Sequence, residues 1–463
     1  MASNEFVENI IQTLKGFCVS YNNNSAIDGV EQKKIVNIDE DNIDTAEKLR
    51  AFHLLPTVAL TLKSENTRTM LIPILETLIT TAVDNGDDEA LMVIAQKLGD
   101  FVPLVGGGNY AGCLLQLLAR IICCVEEIVV VQAACDSLIK IIPTLDSNVV
   151  DTNCLQLVRN VFAEDLYCAA RKAGVRLIPV CYKIASSESQ TELKNRLLHL
   201  CMAEDEIPLV RAGAVEQLTD LSIVAGSVLK PEMIRTLTSL VSDNQRVVRA
   251  ACVKPLLELG KNVDTNEFDT ILFPLLDKLS EDSNRDTRRG VASLISEFQK
   301  IAQKFDKSLH NLLIKLMEDN EIDARKIVAS QLKEFCAACS HQVLIDFVLP
   351  KIREHLNLER EDRVKAELVK SVVTMIPSFK REDSLPLVQH VLSFLNDSNL
   401  QTKQYVFEHF QGLIGLISPS ELQLTILPSL FKLFADKNWR IRSGVVASLM
   451  LIIPIVVSFG AFI

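Results

Sequence analysis

Repetition at intervals of about 39 residues limits the possible folds of this 463-residue chain more than any other feature. A basic residue recurs along the chain, and an acidic residue precedes it by six positions each time. The pairs are Asp165 and Arg171, Asp205 and Arg211, Asp243 and Arg249, Asp282 and Arg288, Asp319 and Arg325, Glu359 and Lys365, Asp397 and Lys403, and Asp436 and Arg442. Such a period is typical of repeat architectures, in which each repeat contacts only its neighbours.

Apolar residues keep one register around each basic residue, falling one position before it and three, seven and ten positions after it. Around Arg249 these are Val248, Cys252, Leu256 and Leu259. Steps of four, four and three place them on one face of an α-helix. The register extends upstream of the charge pairs, for example through Leu91, Ala95, Leu98 and Phe101.

An earlier apolar stretch in each repeat predicts a first helix, and Pro73, Pro274 and Pro428 lie inside such stretches. A proline there removes a backbone hydrogen bond, so we expect these first helices to bend. Two helices per repeat cannot bury their apolar faces alone, and stacking completes the core. The sequence therefore predicts an all-α chain, residues 1–463, that forms a single α-solenoid of about eleven repeats.

The recurring charge pair has two explanations. The acidic residue falls in the turn between the helices, where it can cap the second helix. Stacked helices lie about 8–10 Å apart, so each basic residue is also able to reach the acidic residue of an adjoining repeat and form a ladder. The alternative is a pair of solvated charges worth about 0–1 kcal/mol. We predict the ladder.

Three segments depart from the pattern. Residues 17–42 are rich in Asn and Asp with weak helical periodicity, so a flexible insertion is expected. Gly106, Gly107 and Gly108 lack the Lys-Ser/Thr of a phosphate-binding loop, so we expect a tight connection between repeats. The last repeat, from about residue 420, is expected to be truncated, with an atypical apolar tail at 454–463.

The uncharged stretch 445–463 reaches the length of a membrane span. Val445, Leu449 and Ile452 also continue the repeat register, so we expect a final second helix with an added extension. A carboxy-terminal membrane anchor stays open as the alternative.

Composition narrows the function classes. A net charge of −11 argues against a nucleic-acid binder. Twelve cysteines, mostly in apolar runs, and the absence of a signal-peptide pattern indicate reduced thiols in the cytoplasm or nucleus.

Candidate chemistry is sparse. The seven histidines are dispersed. Cys336, Cys339 and His341 lack the second ligand pair of a structural zinc site, so we expect core thiols. No nucleophile motif is present, and we expect a non-catalytic binding protein without cofactor or metal.

Particular stretches resemble one family. A helix pair of about 39 residues with Asp in its turn and Val-Arg opening its second helix resembles the HEAT repeat. The stretches "ENTRTMLIPIL" (65–75), "GDDEALMVIAQKLGDFVPLVGGGNYAGCLL" (86–115), "CVEEIVV" (124–130), "DEIPLVRAGA" (205–214), residues 328–336 and "FADKNWRIR" (434–442) resemble, in order, the scaffolding A subunit of protein phosphatase 2A.

The resemblance implies a non-catalytic scaffold of about fifteen repeats. Its amino-terminal turns would bind a regulatory (B-type) subunit, while its last turns would bind the catalytic subunit. The turn residues it assigns to the regulatory subunit are Asp88, Glu89, Glu126, Glu127, Glu206 and Pro208. It assigns Trp439 and Arg440 to the catalytic subunit. From the residues alone, Trp439 fits either half-buried packing or an interface hot spot.

Departures from the family lie at Ala212, where an Arg is expected, and at Arg285 and Asp286, where Trp-Arg is expected. They bear on particular regulatory contacts. The sequence also stops in its eleventh repeat, so the expected catalytic-subunit surface is incomplete. The alternative function is another HEAT solenoid, such as a nuclear transport receptor that holds a basic cargo peptide.

Overall fold

The computed structural model describes residues 8–16, 48–162, 166–203 and 206–458, and the statements below refer to these residues. They contain α-helices joined by short 3-10 and π-helical turns, and no strand among them. The predicted all-α class is confirmed. The chain divides into a first unit, Met1–Pro255, and a second unit, Leu256–Ile463. The insertion expected at 17–42 lies outside the described residues.

The helices of the first unit alternate between first and second members of each pair. They are α1 (8–16), α2 (48–53), α3 (Leu55–Asn66), α4 (Ile72–Asn85), α5 (Asp88–Leu98), α6 (Gly112–Cys124), α7 (Ile128–Ile141), α8 (Ser147–Val149), α9 (Leu155–Asn160), α10 (Cys168–Tyr182), α11 (Ser187–Met202), α12 (Pro208–Ala225), α13 (Lys230–Leu240) and α14 (Arg246–Ala251). The second helices α5, α7, α10, α12 and α14 pack in succession.

Helix α15 (Val253–Gly260) contains the division point, and the second unit repeats the same order. Its further helices are α16 (Thr265–Glu267), α17 (Phe273–Ser280), α18 (Arg285–Gln303), α19 (His310–Met317), α20 (Ile322–Ala337), α21 (His341–Val343), α22 (Leu349–Leu358), α23 (Asp362–Met375), α24 (Arg381–Ser393), α25 (Leu400–Glu408), α26 (Phe410–Ile414), α27 (Pro419–Glu421), α28 (Leu427–Leu433) and α29 (Trp439–Ser458). Here α18, α20, α23, α25 and α29 pack in succession. Each unit is thus a stack of helix pairs.

The apolar register forms the core of both units. Ala324, Val328, Leu332 and Phe335 of α20 are fully buried, as are their counterparts in α5. Burying a side chain of this size contributes about 1.5–3 kcal/mol relative to exposure. Because these side chains meet those of the neighbouring pair, the core within each unit runs from pair to pair, as the periodicity predicts.

The prolines of the first helices follow π-helical turns. The turns Thr67–Leu71, Phe268–Leu272, Leu344–Val348 and Leu422–Ile426 each end two residues before a proline. These prolines are Pro73, Pro274, Pro350 and Pro428. A proline has no N–H and its ring crowds the carbonyl four residues before it, and a wider turn relieves both conflicts. The expected bend takes this form, because π-turns are a recognised source of helix kinks.

The glycine run is a tight connection between α5 and α6, as predicted. Gly106 and Gly107 have φ values of 102° and 96°, which disfavour residues with a side chain. A Cβ on Gly108 would lie 1.8 Å from the carbonyl oxygen of Thr144. The run therefore serves packing between neighbouring helix pairs.

The apolar carboxy-terminal stretch forms the second helix of the last described pair. Helix α29 carries Ile441, Val445 and Ile452 on its buried face, so its predicted register is confirmed. By length and composition alone, α29 is also apolar enough to cross a membrane. The remainder of the tail, 459–463, lies outside the described residues.

Candidate protein-interaction surface

The described residues hold no cluster of His, Cys, Asp or Glu able to bind a metal ion. Cys336 is buried, and burial raises the pKa of its thiol far above the usual range. Burial raises the pKa of Cys339 to about 11, so both thiols are protonated near neutral pH. His341 instead faces Asp383, with 3.0 Å between Nε2 and Oδ2. The interpretation of these cysteines as thiols without a metal is consistent with this arrangement.

The recurring charge pair builds a ladder between helix pairs. Arg288 donates through Nη1 to the main-chain oxygen of Asp282 in its own turn, at 2.7 Å. Its Nε and Nη2 donate to the carboxylate of Asp319, in the next turn, at 2.6 and 3.0 Å. One guanidinium thus joins two turns through three charge-assisted hydrogen bonds.

Other basic residues repeat this contact. The second unit pairs Arg325 with Glu359, Lys365 with Asp397 and Lys403 with Asp436. The first unit pairs Lys48 with Asp87, Arg171 with Glu206 and Arg211 with Asp243. The ladder is confirmed at the predicted acidic residues Asp243, Asp319, Glu359, Asp397 and Asp436. Arg171 pairs with Glu206, next to the predicted Asp205, and the Lys48–Asp87 pair is a contact outside the predicted set. Asp165 and Asp205 lie outside the described residues.

The ladder carboxylates are also held by their own turns. Asp87 accepts from the N–H of Ala90 and Glu206 from that of Ile207. Six other acidic turn residues, from Asp243 to Asp436, each accept a hydrogen bond from the backbone N–H two residues later. The donors are Gln245, Asn284, Glu321, Glu361, Asn399 and Asn438. The prediction that the acidic residue itself caps the second helix is wrong at Asp282 and Asp397. The caps there are Asn284 and Asn399, because the acidic residue lies two positions too early.

Hydrogen bonds and neighbouring positive charges keep these carboxylates ionised despite their burial. Burial alone would raise the pKa of Asp319, whose side chain is only 5% exposed. The hydrogen bonds from Arg288 and from the Glu321 N–H outweigh burial, and the pKa lies below its usual value. Glu359 and Asp397 show the same direction for the same reasons. These turn carboxylates are therefore already engaged in ion pairs and hydrogen bonds within the chain.

Turn residues of the first unit differ. Asp88 and Glu89 form the exposed first turn of α5, while Asp87 caps that helix and pairs with Lys48. Of the described residues, none forms an ion pair with Asp88 or Glu89 within 4.0 Å. They are exposed carboxylates that the ladder does not use.

The next turn adds apolar surface to exposed charge. Glu126 and Glu127 are exposed and precede α7, which begins with Ile128 and Val129, 58% and 49% exposed. The carboxylate of Glu126 beside the Tyr167 phenol raises the pKa of that phenol. Exposed apolar side chains beside carboxylates are suited to protein binding.

Glu206 is buried in an ion pair, whereas Pro208 lies between exposed apolar residues. Glu206 belongs to the ladder: its carboxylate accepts from Arg171 at 2.8 Å, and its side chain is 8% exposed. Pro208 begins α12 between Ile207 and Leu209, which are 39% and 52% exposed. The surface accessible to a partner at this turn is therefore mainly that of the apolar side chains Ile207 and Leu209.

A groove of about 610 Å³ adjoins these turns along α7, α10 and α12. Tyr167 and Leu209 give it apolar walls, and Lys172 and Glu216 lie on its lining. Sequence reasoning missed Ile128, Val129, Tyr167 and Leu209. These residues could have been found in the sequence as apolar residues that lie at turns and do not fall on the buried register.

The Trp439 side chain is exposed in the structure, and its assignment to an interface stays a prediction. Its side chain is 65% exposed at the first position of α29, so it is not half-buried packing. The Arg440 guanidinium lies 5.7 Å from the centre of the Trp439 ring. An exposed Trp and Arg together are the residue types enriched at interface hot spots.

Stacked helix pairs with a charged ladder along their turns define the class of this chain: it is an α-solenoid of the HEAT type. Solved structures support the fold. An importin β structure matches with a TM-score of 0.62 over 88% of this chain and 54% of that chain, at 13% identity. Yeast Kap95p in its complex with RanGDP matches with a TM-score of 0.61 over 97% of this chain and 56% of that chain, at 12% identity.

Sequence comparison points to a particular relative, the A-type regulatory subunit of protein phosphatase 2A. A probable PP2A regulatory subunit of Caenorhabditis elegans is 32% identical over 242 residues, 52% of this chain and 40% of the relative. The beta isoform of the rat 65 kDa A-type regulatory subunit is 34% identical over 41% of this chain and 30% of its own length. The A-type regulatory subunit of Schizosaccharomyces pombe is 30% identical over 55% and 42%.

These matches confirm the resemblance to the A-type subunit of PP2A, and they span less than half the length of each relative. Residues 233–454 also match the family model described as PIK3R4-like, middle domain. The site residues expected at the turns are not tested by these comparisons.

Proposed function

We propose that this chain is a non-catalytic scaffold that binds a regulatory subunit of a PP2A-type phosphatase through the turns of its first unit. The observation that supports this is the set of exposed carboxylates that the ladder leaves unused: Asp88, Glu89, Glu126 and Glu127. They stand beside exposed apolar residues at the starts of α7 and α12. The relatives are named as regulatory or scaffold subunits, which agrees with this role.

The proposed mechanism is positional. When one chain binds two partners, the second binding event occurs at a raised effective concentration. Exposed charges on the turns would mainly set the association rate and the choice of partner. The neighbouring apolar side chains, Ile128, Val129 and Leu209, would supply most of the binding energy.

Trp439 and Arg440 are the proposed contacts for a catalytic subunit. The exposed indole offers a large rigid contact area, and the nearby guanidinium supplies hydrogen-bond donors for a carboxylate. This part of the proposal involves the second unit alone and can fail independently of the regulatory contacts.

The test is a binding titration of the purified chain with a purified B-type regulatory subunit. We expect charge reversal of Glu126 and Glu127 to Lys to weaken binding about 10-fold or more, because it introduces like charges opposite a complementary surface. The matched control is the double reversal Glu65→Lys with Glu76→Lys, an equal charge change at exposed positions in α3 and α4 of the same unit. Equal affinity of the Glu126/Glu127 variant and the control would refute the proposed surface.

A nuclear transport receptor is the second candidate, since the fold matches importin β. Identities of 12–13% to these structures show the fold alone. The two functions are separated by titrating the same chain with the small GTPase Ran. Saturable binding of the GTPase without binding of the phosphatase subunit would favour the transport function.

A further inference from the structure

The groove of about 610 Å³ in the first unit extends from the turns over the exposed faces of α7, α10 and α12. Its lining residues lie three or four positions apart along each helix, which places them on one face of that helix. On α7 they include Ile128 and Gln132, and on α12 they include Leu209 and Gly213. Helix α10 packs between these two helices and contributes Lys172. This second-helix groove is therefore lined by three neighbouring second helices and not by the turns alone.

The second-helix groove has an apolar edge and a polar edge. Ile128, Tyr167 and Leu209 are exposed and lie at the amino-terminal ends of α7, α10 and α12, so they form an apolar edge along the turns. Four or more residues further along each helix, the lining carries polar side chains. A ligand that lies across the three helices thus meets apolar side chains on one side and polar ones on the other.

Opposite charges in the groove are left without partners. Lys172 of α10 and Glu216 of α12 are exposed, and neither forms an ion pair within 4.0 Å with a described residue. In the same groove, Arg176 donates to the carboxylate of Asp136 at 2.7 Å, so this second pair of charges is already neutralised. The groove therefore offers one cation and one anion to a ligand.

Two side-chain amides in the groove are also unused. Gln132 of α7 and Gln217 of α12 line it, and neither side chain forms a hydrogen bond with a described residue. Each amide carries a donor and an acceptor. An extended peptide has unpaired main-chain N–H and C=O groups, whereas an α-helix pairs its own. These amides therefore favour an extended ligand over a helical one.

Gly213 keeps the groove open at the centre of α12. A Cβ there would meet nothing within 4 Å, and its φ is not positive, so neither packing nor backbone conformation requires a glycine. By contrast, a Cβ on Gly174 of α10 would lie 2.1 Å from Val161. A glycine inside a helix costs about 0.5–1 kcal/mol relative to alanine. At Gly213 this cost leaves space for a ligand instead of serving the fold.

We propose that the second-helix groove binds an extended peptide segment of a partner protein in which apolar residues alternate with charged ones. Successive side chains of an extended chain point to opposite sides. The apolar side chains then contact the edge formed by Ile128, Tyr167 and Leu209, while an acidic side chain pairs with Lys172 and a basic one with Glu216.

The spacing of the charges agrees with this conformation. Lys172 and Glu216 lie on adjacent second helices, and packed helices are about 8–10 Å apart. Alternate residues of an extended chain are about 7 Å apart, and their side chains bridge the difference. The inference goes beyond the proposed function, because it concerns the faces of the second helices and holds whatever protein binds the turns.

The probe is the peptide Gly-Ser-Leu-Glu-Val-Lys-Leu-Ser-Gly, amidated at its carboxyl end and labelled with fluorescein at its amino end. We expect saturable binding to the purified chain, measured by fluorescence anisotropy. A peptide of the same composition with its apolar residues at helical spacing should bind more weakly. Tighter binding of that peptide would overturn the extended conformation, and no saturable binding of the first peptide would overturn the proposal.

Gly213→Leu tests the groove without threatening the fold. The leucine side chain would fill the open space, so we expect binding about 10-fold weaker or more, while stability does not fall because leucine is the better helix former. Gly213→Ala adds one methyl group and should weaken binding less. Unchanged affinity of the Gly213→Leu variant, shown by circular dichroism to be folded, would contradict the proposed site.

Charge reversal tests the polar edge. Lys172→Glu should weaken binding about 5-fold, and a peptide with Lys in place of its Glu should recover the lost affinity. Arg120→Glu, an equal charge change at an exposed position of α6 outside the groove, is the matched control and should leave binding unchanged. Failure of the altered peptide to recover affinity would contradict the pairing with Lys172. Light scattering that shows a dimer of the unvaried chain, lost in Gly213→Leu, would instead identify a second copy as the occupant.

Discussion

The two units use the acidic residues of their turns differently. In the second unit, Asp319, Glu359 and Asp397 are buried in ion pairs and accept backbone hydrogen bonds as well. In the first unit, Asp88 and Glu89 are exposed and make no ion pair with a described residue. Asp87, Glu206 and Asp243 of the first unit are paired as well. The same residue type thus stabilises the fold at most turns and remains available to a partner at particular turns of the first unit.

This difference shows that an acidic turn alone does not indicate a binding site. Glu126 and Glu127 are exposed because the preceding second helix lacks a basic residue that would pair with them, whereas Lys48 pairs with Asp87 and leaves its neighbours Asp88 and Glu89 exposed. In each second helix, the ladder residue directly follows the first buried residue of the register. At this position α7 has Val131, after Val130, and α5 has Met92, after Leu91. Both are apolar, so the ladder is interrupted in this part of the first unit.

The largest expected effect comes from breaking the ladder in the second unit. Asp319→Ala leaves Arg288 half-buried without its carboxylate and removes the acceptor of the Glu321 N–H. We expect the free energy of unfolding of the second unit to fall by about 2 kcal/mol. Urea unfolding followed by circular dichroism measures it, and amide hydrogen exchange of α18 and α20 locates the loss in the second unit. Asp286→Ala, at an exposed pair, is the control and should change stability by less than about 0.5 kcal/mol.

The pH dependence of stability also distinguishes the buried turn carboxylates from the exposed ones. The folded-state pKa values of Asp319, Glu359 and Asp397 lie below their usual values. Their stabilisation is therefore present above the unfolded-state pKa, about 4, and is lost as the pH falls through the lower folded-state pKa. We expect the stability difference between the unvaried chain and Asp319→Asn to shrink below about pH 4. A difference that stays constant from pH 6 to pH 3 would contradict the assignment.

A small effect is expected where the carboxylates are exposed. Replacing Asp88 with Asn and Glu89 with Gln removes only their favourable interaction with the amino terminus of α5, worth about 0.3 kcal/mol each at exposed sites. Thermal unfolding followed by circular dichroism should detect little change. A loss as large as that of Asp319→Ala would show that these residues also serve the fold, and would remove the contrast between the units.

The smallest effect is expected at Trp439. Its side chain is mostly exposed, so Trp439→Ala should leave the thermal unfolding midpoint nearly unchanged. In the unvaried chain, acrylamide should quench its emission efficiently. Strong protection from the quencher in the free chain would mean that the indole is buried, and would weaken its assignment as a partner contact.

Sequence periodicity predicted the fold well because each register position reports burial directly. Val328 and Phe335 are buried for the reason that their spacing indicates. The ladder also followed from spacing, since stacked helices place successive turns side by side. The form of the proline distortion did not follow, because a bent helix and a π-helical turn satisfy the same sequence.

It was harder to predict from the sequence whether a turn residue is paired within the chain or exposed to a partner. Glu206 and Glu126 look alike in sequence, yet Arg171 pairs with the first while the second is exposed. The outcome depends on the side chain that the preceding helix pair presents, about 35 residues away. Exposed apolar residues such as Leu209 were missed for a related reason, since hydrophobicity alone does not distinguish a buried from an exposed position.

Arginine and lysine at the ladder positions give the second unit uneven mechanical stiffness. Arg288 and Arg325 each tie their own turn to the next one through several hydrogen bonds, whereas Lys365 and Lys403 each reach only the neighbouring carboxylate. A guanidinium resists both separation and twisting of the joined turns, and an ammonium acts as a single flexible tether. Under tension, the helix pairs of the second unit should therefore separate first at the Lys365–Asp397 and Lys403–Asp436 contacts.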